Sequence, residues 1–106
     1  MHEYFVYMLK CEDGSYYTGV TNDYKRRVAE HERGAHESCY TFSRRPVRLV
    51  YVTEFKYILD AIAWEKRIKR WSRNKKRALI QQDQEALEHF SKRRSGRPHY
   101  AYNDPD

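Results

Sequence analysis

Two tyrosines ten residues apart, Tyr7 and Tyr17, flank a tight-turn signal at residues 12–14 (Glu-Asp-Gly). The flanking segments are rich in aromatic and β-branched residues, which predicts a β-hairpin. With a three-residue loop, Tyr17 lies opposite Leu9, and the period-two alternation of strands puts both phenols on one face as candidates for chemistry. Tyr7 then lies opposite Gly19, which is expected to leave an open space beside the Tyr7 ring. Packing is the alternative, because tyrosine is a common strand residue and this chain has ten.

Arg27 and His31 lie four residues apart in a segment with helical periodicity. They share the inward stripe of that helix with Tyr24 and Val28. A purely structural helix would have leucine or alanine at these two polar positions, so both are candidate functional residues. The alternative is an arginine that extends to solvent and a hydrogen-bonded histidine at the edge of the stripe. Other polar residues of this helix are expected in solvent: Lys25, Arg26, Glu30 and Arg33.

Glu65 is a carboxylate on the apolar side of a second helical segment. It falls between Ala61 and Ile68 on a stripe that also contains tryptophan. A carboxylate on a buried helix face is costly unless a positive group meets it. Lys69, at i+4, would form an ordinary helix ion pair. The alternative partner is a divalent cation, which prefers hard oxygen ligands.

The elements that position these residues follow from the pattern along the chain. A helix-start cluster at 21–23 and a stop at Gly34 bound the first helix. A polar loop over 36–45 leads to a third strand over 47–55, which is rich in β-branched and aromatic residues. The second helix begins at Asp60 or just before it.

Ser72 is suited to cap a third helix that continues through residues 75–90. The tail, residues 91–106, has glycine, proline and charge without periodicity and is expected to be disordered or loosely attached. We therefore expect one domain over 1–82, followed by a helix end and a basic tail over 83–106. The apolar positions of the third helix are Ala78, Leu79, Ala86 and Leu87.

Composition narrows the classes of function. The chain has 106 residues, enough for one domain, and 34% of them are charged. A net charge of +6 and a pI near 9.4 favour a polyanionic partner, nucleic acid or an anionic membrane. The run over 66–77 has one sign of charge and contains tryptophan, which favours contact with phosphates. No apolar run is long enough to span a bilayer and no secretory signal is visible, so a cytoplasmic protein is expected.

The two cysteines, Cys11 and Cys39, do not make a disulfide framework. Cys39 with His31 and His36 is a weak candidate for a zinc site, because the Cys-x-x-Cys spacing typical of such sites is missing.

Five positions together resemble the GIY-YIG nuclease superfamily. The two name-giving triplets stand at 5–7 (Phe-Val-Tyr) and 17–19 (Tyr-Thr-Gly). Arg27, His31 and Glu65 then match the arginine, the histidine and the metal-binding glutamate of that superfamily.

The resemblance covers about residues 4–82. Phe5 and Val6 replace the first glycine and isoleucine of the triplet, a change that affects packing and spares the tyrosine. Larger relatives carry an extra domain that selects the DNA target, and from its sequence this chain is expected to lack one. Some members use a late asparagine, for which Asn74 is a candidate that is not assigned. The region that links the first helix to the third strand resembles that of the small stand-alone bacterial members of the superfamily. The similar segments are residues 40–41, 45–47 and 49–51.

The resemblance implies an α+β fold, a three-stranded antiparallel sheet flanked by helices in the order β-β-α-β-α-α. It implies metal-dependent endonuclease activity, with DNA more expected than RNA as the substrate. Glu65 would hold one Mg²⁺ or Mn²⁺ ion, and Arg27 would bind the same phosphate. Tyr17 is favoured as the base that takes a proton from water, with Tyr7 positioning the water or the phosphate. Since an ordinary tyrosine pKa is about 10, Arg27, the metal or His31 must assist.

Basic side chains would hold the sugar–phosphate backbone without reading its sequence. The rival functions are a non-catalytic nucleic-acid-binding module on the same fold, and an interaction protein that docks an acidic partner. A monomer and a weak homodimer both fit the sequence. The candidate backbone-binding residues are Arg44, Arg45, Lys69, Arg70, Arg73, Lys75 and Lys76.

Overall fold

A computed structural model describes residues 3–82 of the chain. Three antiparallel strands form one sheet in the order β2-β1-β3, and helices flank it, so the expected α+β architecture is confirmed. The hairpin strands are β1 (Tyr4–Lys10) and β2 (Tyr16–Thr21), and β3 is Arg48–Phe55. The helices are α1 (Tyr24–Arg33), α2 (Ile58–Lys69) and α3 (Arg73–Gln82), with a 3-10 turn at Phe42–Arg44 before β3.

The hairpin has the register that its turn signal predicts. Tyr7 pairs with Gly19 and Leu9 pairs with Tyr17. Gly14 takes a positive φ of 87°, which glycine adopts without strain at the end of a three-residue loop. The expected open space at Gly19 is wrong, because the Tyr7 ring fills it. A Cβ at that position would lie 2.5 Å from Tyr7 Oη.

The two faces of β1 belong to separate apolar clusters. Val6 and Met8 pack with the buried side chains of α2 and α3. Tyr7 and Leu9 point the other way, into a cluster that includes Val28 of α1. The alternation of strand side chains thus places Tyr7 under α1, where the first helix contributes its polar residues.

Helix ends follow the capping rules. Asp23 Oδ1 accepts a hydrogen bond from the Arg26 backbone N–H at 3.1 Å, and Gly34 ends α1 in the left-handed conformation. Ser72 Oγ accepts from the Lys75 N–H at 3.2 Å and caps α3, as predicted.

The apolar positions predicted for the third helix are only partly right. Leu79 is fully buried but Ala78 is exposed. Successive helical residues point about 100° apart, so a narrow stripe cannot hold both. The continuation toward Phe90, with Ala86 and Leu87, and the tail lie outside the described residues.

Candidate active site

Tyr7 and His31 form the centre of the site. The central strand supplies Tyr7 and the last turn of α1 supplies His31, and both are almost fully buried. Tyr7 Oη lies 3.0 Å from Nε2 of His31. Buried hydroxyl and imidazole groups are costly when unpaired, so this bond satisfies both.

Tyr17 completes an aromatic group around that pair. Its ring centroid lies 6.3 Å from the Tyr7 ring and 4.9 Å from the His31 ring. Tyr17 is half-buried, and on its outer side it stacks on the exposed Tyr40 ring at 6.3 Å and 22°. The prediction that both phenols share one face is therefore confirmed.

Arg27 extends from α1 toward the two phenols. Burial raises the pKa of both tyrosine hydroxyls, and the Arg27 charge opposes that rise in each; Arg27 also hydrogen-bonds with Tyr7. The Arg27 Nε is buried and finds no hydrogen-bond acceptor among residues 3–82. A buried donor without a protein acceptor is uncommon and needs an explanation, such as a ligand.

The expectation that Glu30 lies in solvent is wrong. Its side chain is 15% exposed and lies 2.9 Å from Arg26 Nη1 and 3.7 Å from Arg27 Nη1. His36, from the loop after α1, approaches the same carboxylate at 3.6 Å. Three basic groups around one carboxylate make its partial burial tolerable.

Protonation states follow from burial. Burial raises the pKa of Tyr7, and Tyr17 raises it further, whereas Arg27 opposes the rise. Burial also raises the pKa of Tyr17, and the charges of Arg27 and Lys69 oppose it. Burial lowers the pKa of His31, and the Arg27 charge lowers it further. At neutral pH the site therefore holds two protonated phenols and a neutral imidazole.

Glu65 lies on α2 with its side chain only 12% exposed, and its Oε2 is 2.7 Å from Lys69 Nζ. The ordinary helix ion pair considered from the sequence is therefore present. The same Lys69 charge favours ionisation of Tyr17, so the α2 end of the site is electrostatically coupled to that phenol. Glu65 is thus a partly buried carboxylate whose ion-pair partner, Lys69, acts electrostatically on Tyr17.

Thr41 and Cys39 are site residues to which the sequence reasoning gave no role in catalysis. Thr41 Oγ1 lies 2.8 Å from Nδ1 of His31, and it donates a hydrogen bond to Cys39 Sγ at 3.5 Å. Burial by itself raises the pKa of Cys39, but hydrogen bonds with Thr41 and Tyr17 and the Arg27 charge together lower it. No periodicity links a loop threonine to a helix histidine ten residues earlier, so only the folded loop reveals the contact.

The zinc arrangement considered for Cys39, His31 and His36 does not form, because His36 turns to Glu30 instead. Within residues 3–82, no three His, Cys, Asp or Glu side chains converge on a point that could hold a metal ion.

The two candidate backbone-binding arginines of the loop before β3, Arg44 and Arg45, are both held by local contacts. Arg44 binds Asp13 at 3.1 Å and lies 3.8 Å above the Tyr40 ring. Arg45 donates to the Phe42 carbonyl and stacks on that ring. The planar guanidinium groups of both arginines are oriented by aromatic rings.

The candidate basic residues that follow α2 make different contacts with the rest of the protein. Arg70 is exposed, and Arg73 donates to the Gly14 carbonyl of the hairpin loop. Lys75 lies 4.3 Å from the Trp71 ring centroid. Burial lowers the pKa of Lys76, and the nearby charge of Lys69 lowers it further. Of these residues, Lys76 lies near Lys69, the ion-pair partner of Glu65.

The sheet order, the paired phenols and the inward arginine and histidine define a GIY-YIG domain. Residues 3–78 match the GIY-YIG catalytic domain, and the chain belongs to that nuclease superfamily. The resemblance seen in the sequence is thereby confirmed.

Relatives that match over almost their whole length support this assignment. The UPF0213 protein of Staphylococcus aureus (strain Mu3 / ATCC 700698) is 44% identical over 82 residues, which are 77% of this chain and 99% of that protein. UPF0213 protein SAV0488 of S. aureus (strain Mu50 / ATCC 700699) matches to the same extent, 44% over 82 residues.

A solved structure is also similar. The solution NMR structure of the UPF0213 protein BH0048 from Bacillus halodurans has a TM-score of 0.53 to this chain and 38% sequence identity with it. The match covers 84% of this chain and 97% of the Bacillus chain.

The helices between residues 3 and 82 are all too short or too polar to cross a membrane.

Proposed function

We propose that this protein is a metal-dependent endonuclease that hydrolyses phosphodiester bonds of nucleic acid, with DNA as the first substrate to test. The observation that supports this most is the group formed by Tyr7, His31, Tyr17 and Arg27. These side chains come from two strands and one helix and meet on one face of the sheet. A packing role alone does not explain a buried guanidinium nitrogen that lacks an acceptor in the described chain.

In this proposal Arg27 binds the scissile phosphate. Its Nε–H has no acceptor among residues 3–82, and the planar guanidinium of this 39% exposed side chain carries further donors for a phosphate oxygen. The charge developing on the phosphate is stabilised by donors that are already in place, so little reorganisation accompanies the reaction.

Tyr17 is the better placed of the two phenols to act as the base. It is half-buried at the rim, whereas the Tyr7 side chain is sealed from water. Arg27 and Lys69 both favour its ionised form, which counteracts the effect of burial. The base must release its own proton before it can accept one from water, so these nearby positive charges decide its strength. Tyr7, held by His31, then orients Arg27 and the phosphate.

The side chains of the site can hold a divalent ion if that ion needs only one carboxylate from the protein. Glu65 is a hard oxygen ligand, and Lys69, whose charge also acts on Tyr17, neutralises it. Mg²⁺ commonly binds through one or two carboxylates and fills its other positions with water and substrate phosphate. When bound, Mg²⁺ or Mn²⁺ would supply additional positive charge at the phosphate. Glu65 would hold the ion, and the Lys69 ammonium would have to leave the carboxylate.

The test is a cleavage panel with single-stranded, branched and duplex DNA, in the presence of Mg²⁺, Mn²⁺ or a chelator. Wild type should cut at least one substrate, and cutting should stop with the chelator or with Glu65→Ala. Glu37→Ala, an exposed glutamate of the loop after α1, is the matched control and should cut normally. Equal products from wild type and Glu65→Ala would contradict an endonuclease that depends on Glu65.

One observation favours a second function, a non-catalytic nucleic-acid-binding module. The only carboxylate assigned to the metal is already neutralised by Lys69 at 2.7 Å. A binding module predicts salt-sensitive association that is independent of metal and unaffected by Tyr17→Phe. The same panel, combined with binding measurements, separates the two functions.

A further inference from the structure

Thr41 is a buried loop residue whose position the proposed reaction does not yet explain. Its side chain is 1% exposed, and its Oγ1 contacts Nδ1 of His31 at 2.8 Å. The other ring nitrogen, Nε2, contacts Tyr7 Oη at 3.0 Å. Both nitrogens of the imidazole are therefore engaged, one by each hydroxyl.

The direction of these hydrogen bonds follows from counting hydrogens. A neutral imidazole carries one N–H, and its partners determine which nitrogen holds it. The Thr41 hydroxyl has a single hydrogen, which it donates to Cys39 Sγ at 3.5 Å. The Thr41 oxygen can then only accept, so Nδ1 of His31 must be the protonated nitrogen. Cys39 Sγ also lies 3.8 Å from Nδ1 and is a second acceptor for the same hydrogen.

This tautomer determines what Tyr7 can do. With the proton on Nδ1, the Nε2 lone pair accepts the hydrogen of the Tyr7 hydroxyl. The lone pairs of the Tyr7 oxygen are then free to accept from Arg27, whose guanidinium has only donors. In the opposite tautomer Nε2 would donate to Tyr7, and the Tyr7 hydrogen would point toward the donors of Arg27.

We propose that Thr41 is a positioning residue that fixes the Nδ1–H tautomer of His31 and, through Tyr7, the placement of Arg27. Its effect on cleavage rests on the proposed endonuclease function. Its effect on the tautomer does not, because the hydrogen-bond chain exists without substrate.

The tautomer can be measured directly by ¹⁵N NMR of the full chain with labelled histidine. Wild type and Thr41→Ser, which keeps the hydroxyl, should both show His31 protonated at Nδ1. Thr41→Val, which keeps the shape and loses the hydroxyl, should show a mixture or the Nε2–H form. If Thr41→Val does not fold, Cys39→Ala replaces it, because removal of the sulfur frees the Thr41 hydrogen and should also mix the tautomers.

Cleavage supplies the second measurement. Thr41→Val should lower kcat by about 10- to 100-fold, by analogy with the loss of a partner that orients a metal-ligating histidine. KM should change little, and Thr41→Ser should restore kcat. The proposal is overturned if wild-type His31 is protonated at Nε2, or if Thr41→Val keeps both the tautomer and the activity. If wild type cuts no DNA at all, the endonuclease function fails while the NMR result still decides the role of Thr41.

Discussion

Tyr7 Oη and Nε2 of His31, 3.0 Å apart, join the central strand of the sheet to α1 through a bond between two buried side chains. The bond orients the phenol and the imidazole at once, and it brings Arg27, one turn before His31, to the same face. Fold stability and the proposed chemistry therefore depend on one contact.

Tyr7→Phe should destabilise the protein and reduce cleavage. The ring would still cover Gly19, but His31 Nε2 would lose its partner, at a cost of about 1–3 kcal/mol. Urea unfolding gives the stability change. Tyr16→Phe, a tyrosine of β2 that packs on the opposite face, is the control and should change neither property. Unchanged stability of Tyr7→Phe would show that the bond is not formed in solution.

Gly19→Ala should destabilise the protein by about 1–3 kcal/mol, the usual range for overpacking. The added Cβ would collide with the phenol oxygen of Tyr7, 2.5 Å away. A double-mutant cycle with Tyr7→Ala tests the cause, since the glycine substitution should cost less once the ring is absent. If Gly19→Ala lowers the free energy of unfolding equally with and without Tyr7→Ala, the strain does not come from the Tyr7 ring.

Arg27→Lys should lower cleavage by about 100-fold or more, as loss of one preorganised donor to a transition state commonly does. Lysine keeps the charge but loses Nε–H and the planar fork, so charge alone cannot compensate. Arg26→Lys, the exposed neighbour that pairs with Glu30, is the matched control and should cleave as wild type does. Equal activity of the two variants would remove Arg27 from the proposed site.

Stability should depend on pH through His31. Burial, and after it the Arg27 charge, lower the pKa of His31 in the folded protein, so the unfolded chain binds its proton more readily. The contribution is therefore complete above the unfolded value of about 6.5 and is lost as pH falls below it toward the folded pKa. His31→Gln should lose this part of the pH dependence of urea unfolding, whereas His36→Gln, at an exposed loop position, should retain it. Parallel pH profiles for wild type and His31→Gln would contradict this assignment.

The hairpin and its register were predictable because local rules determine them. A glycine-containing turn between aromatic and β-branched segments allows few registers, and one of them pairs Tyr7 with Gly19. Arg27 and His31 were recognisable because they stand where an ordinary helix would have apolar residues.

The rest of the site was not predictable in this way because it depends on contacts without a period. Thr41 meets His31 only because the loop after α1 folds back over the helix. Glu30 looked solvated from its helical position, but His36 from the same loop approaches its carboxylate. The Tyr7 ring over Gly19 is a similar case, because a strand pattern gives the pairing and not the direction of a ring.

The most direct test of the account compares wild type with Tyr17→Phe on one labelled DNA substrate, with cleavage and binding measured in the same Mg²⁺ buffer. The change removes a single hydroxyl and keeps the ring that packs on His31. The account predicts that cleavage falls by about 100-fold or more while binding stays unchanged, as expected for loss of a base. Cleavage at the wild-type rate by Tyr17→Phe would contradict it.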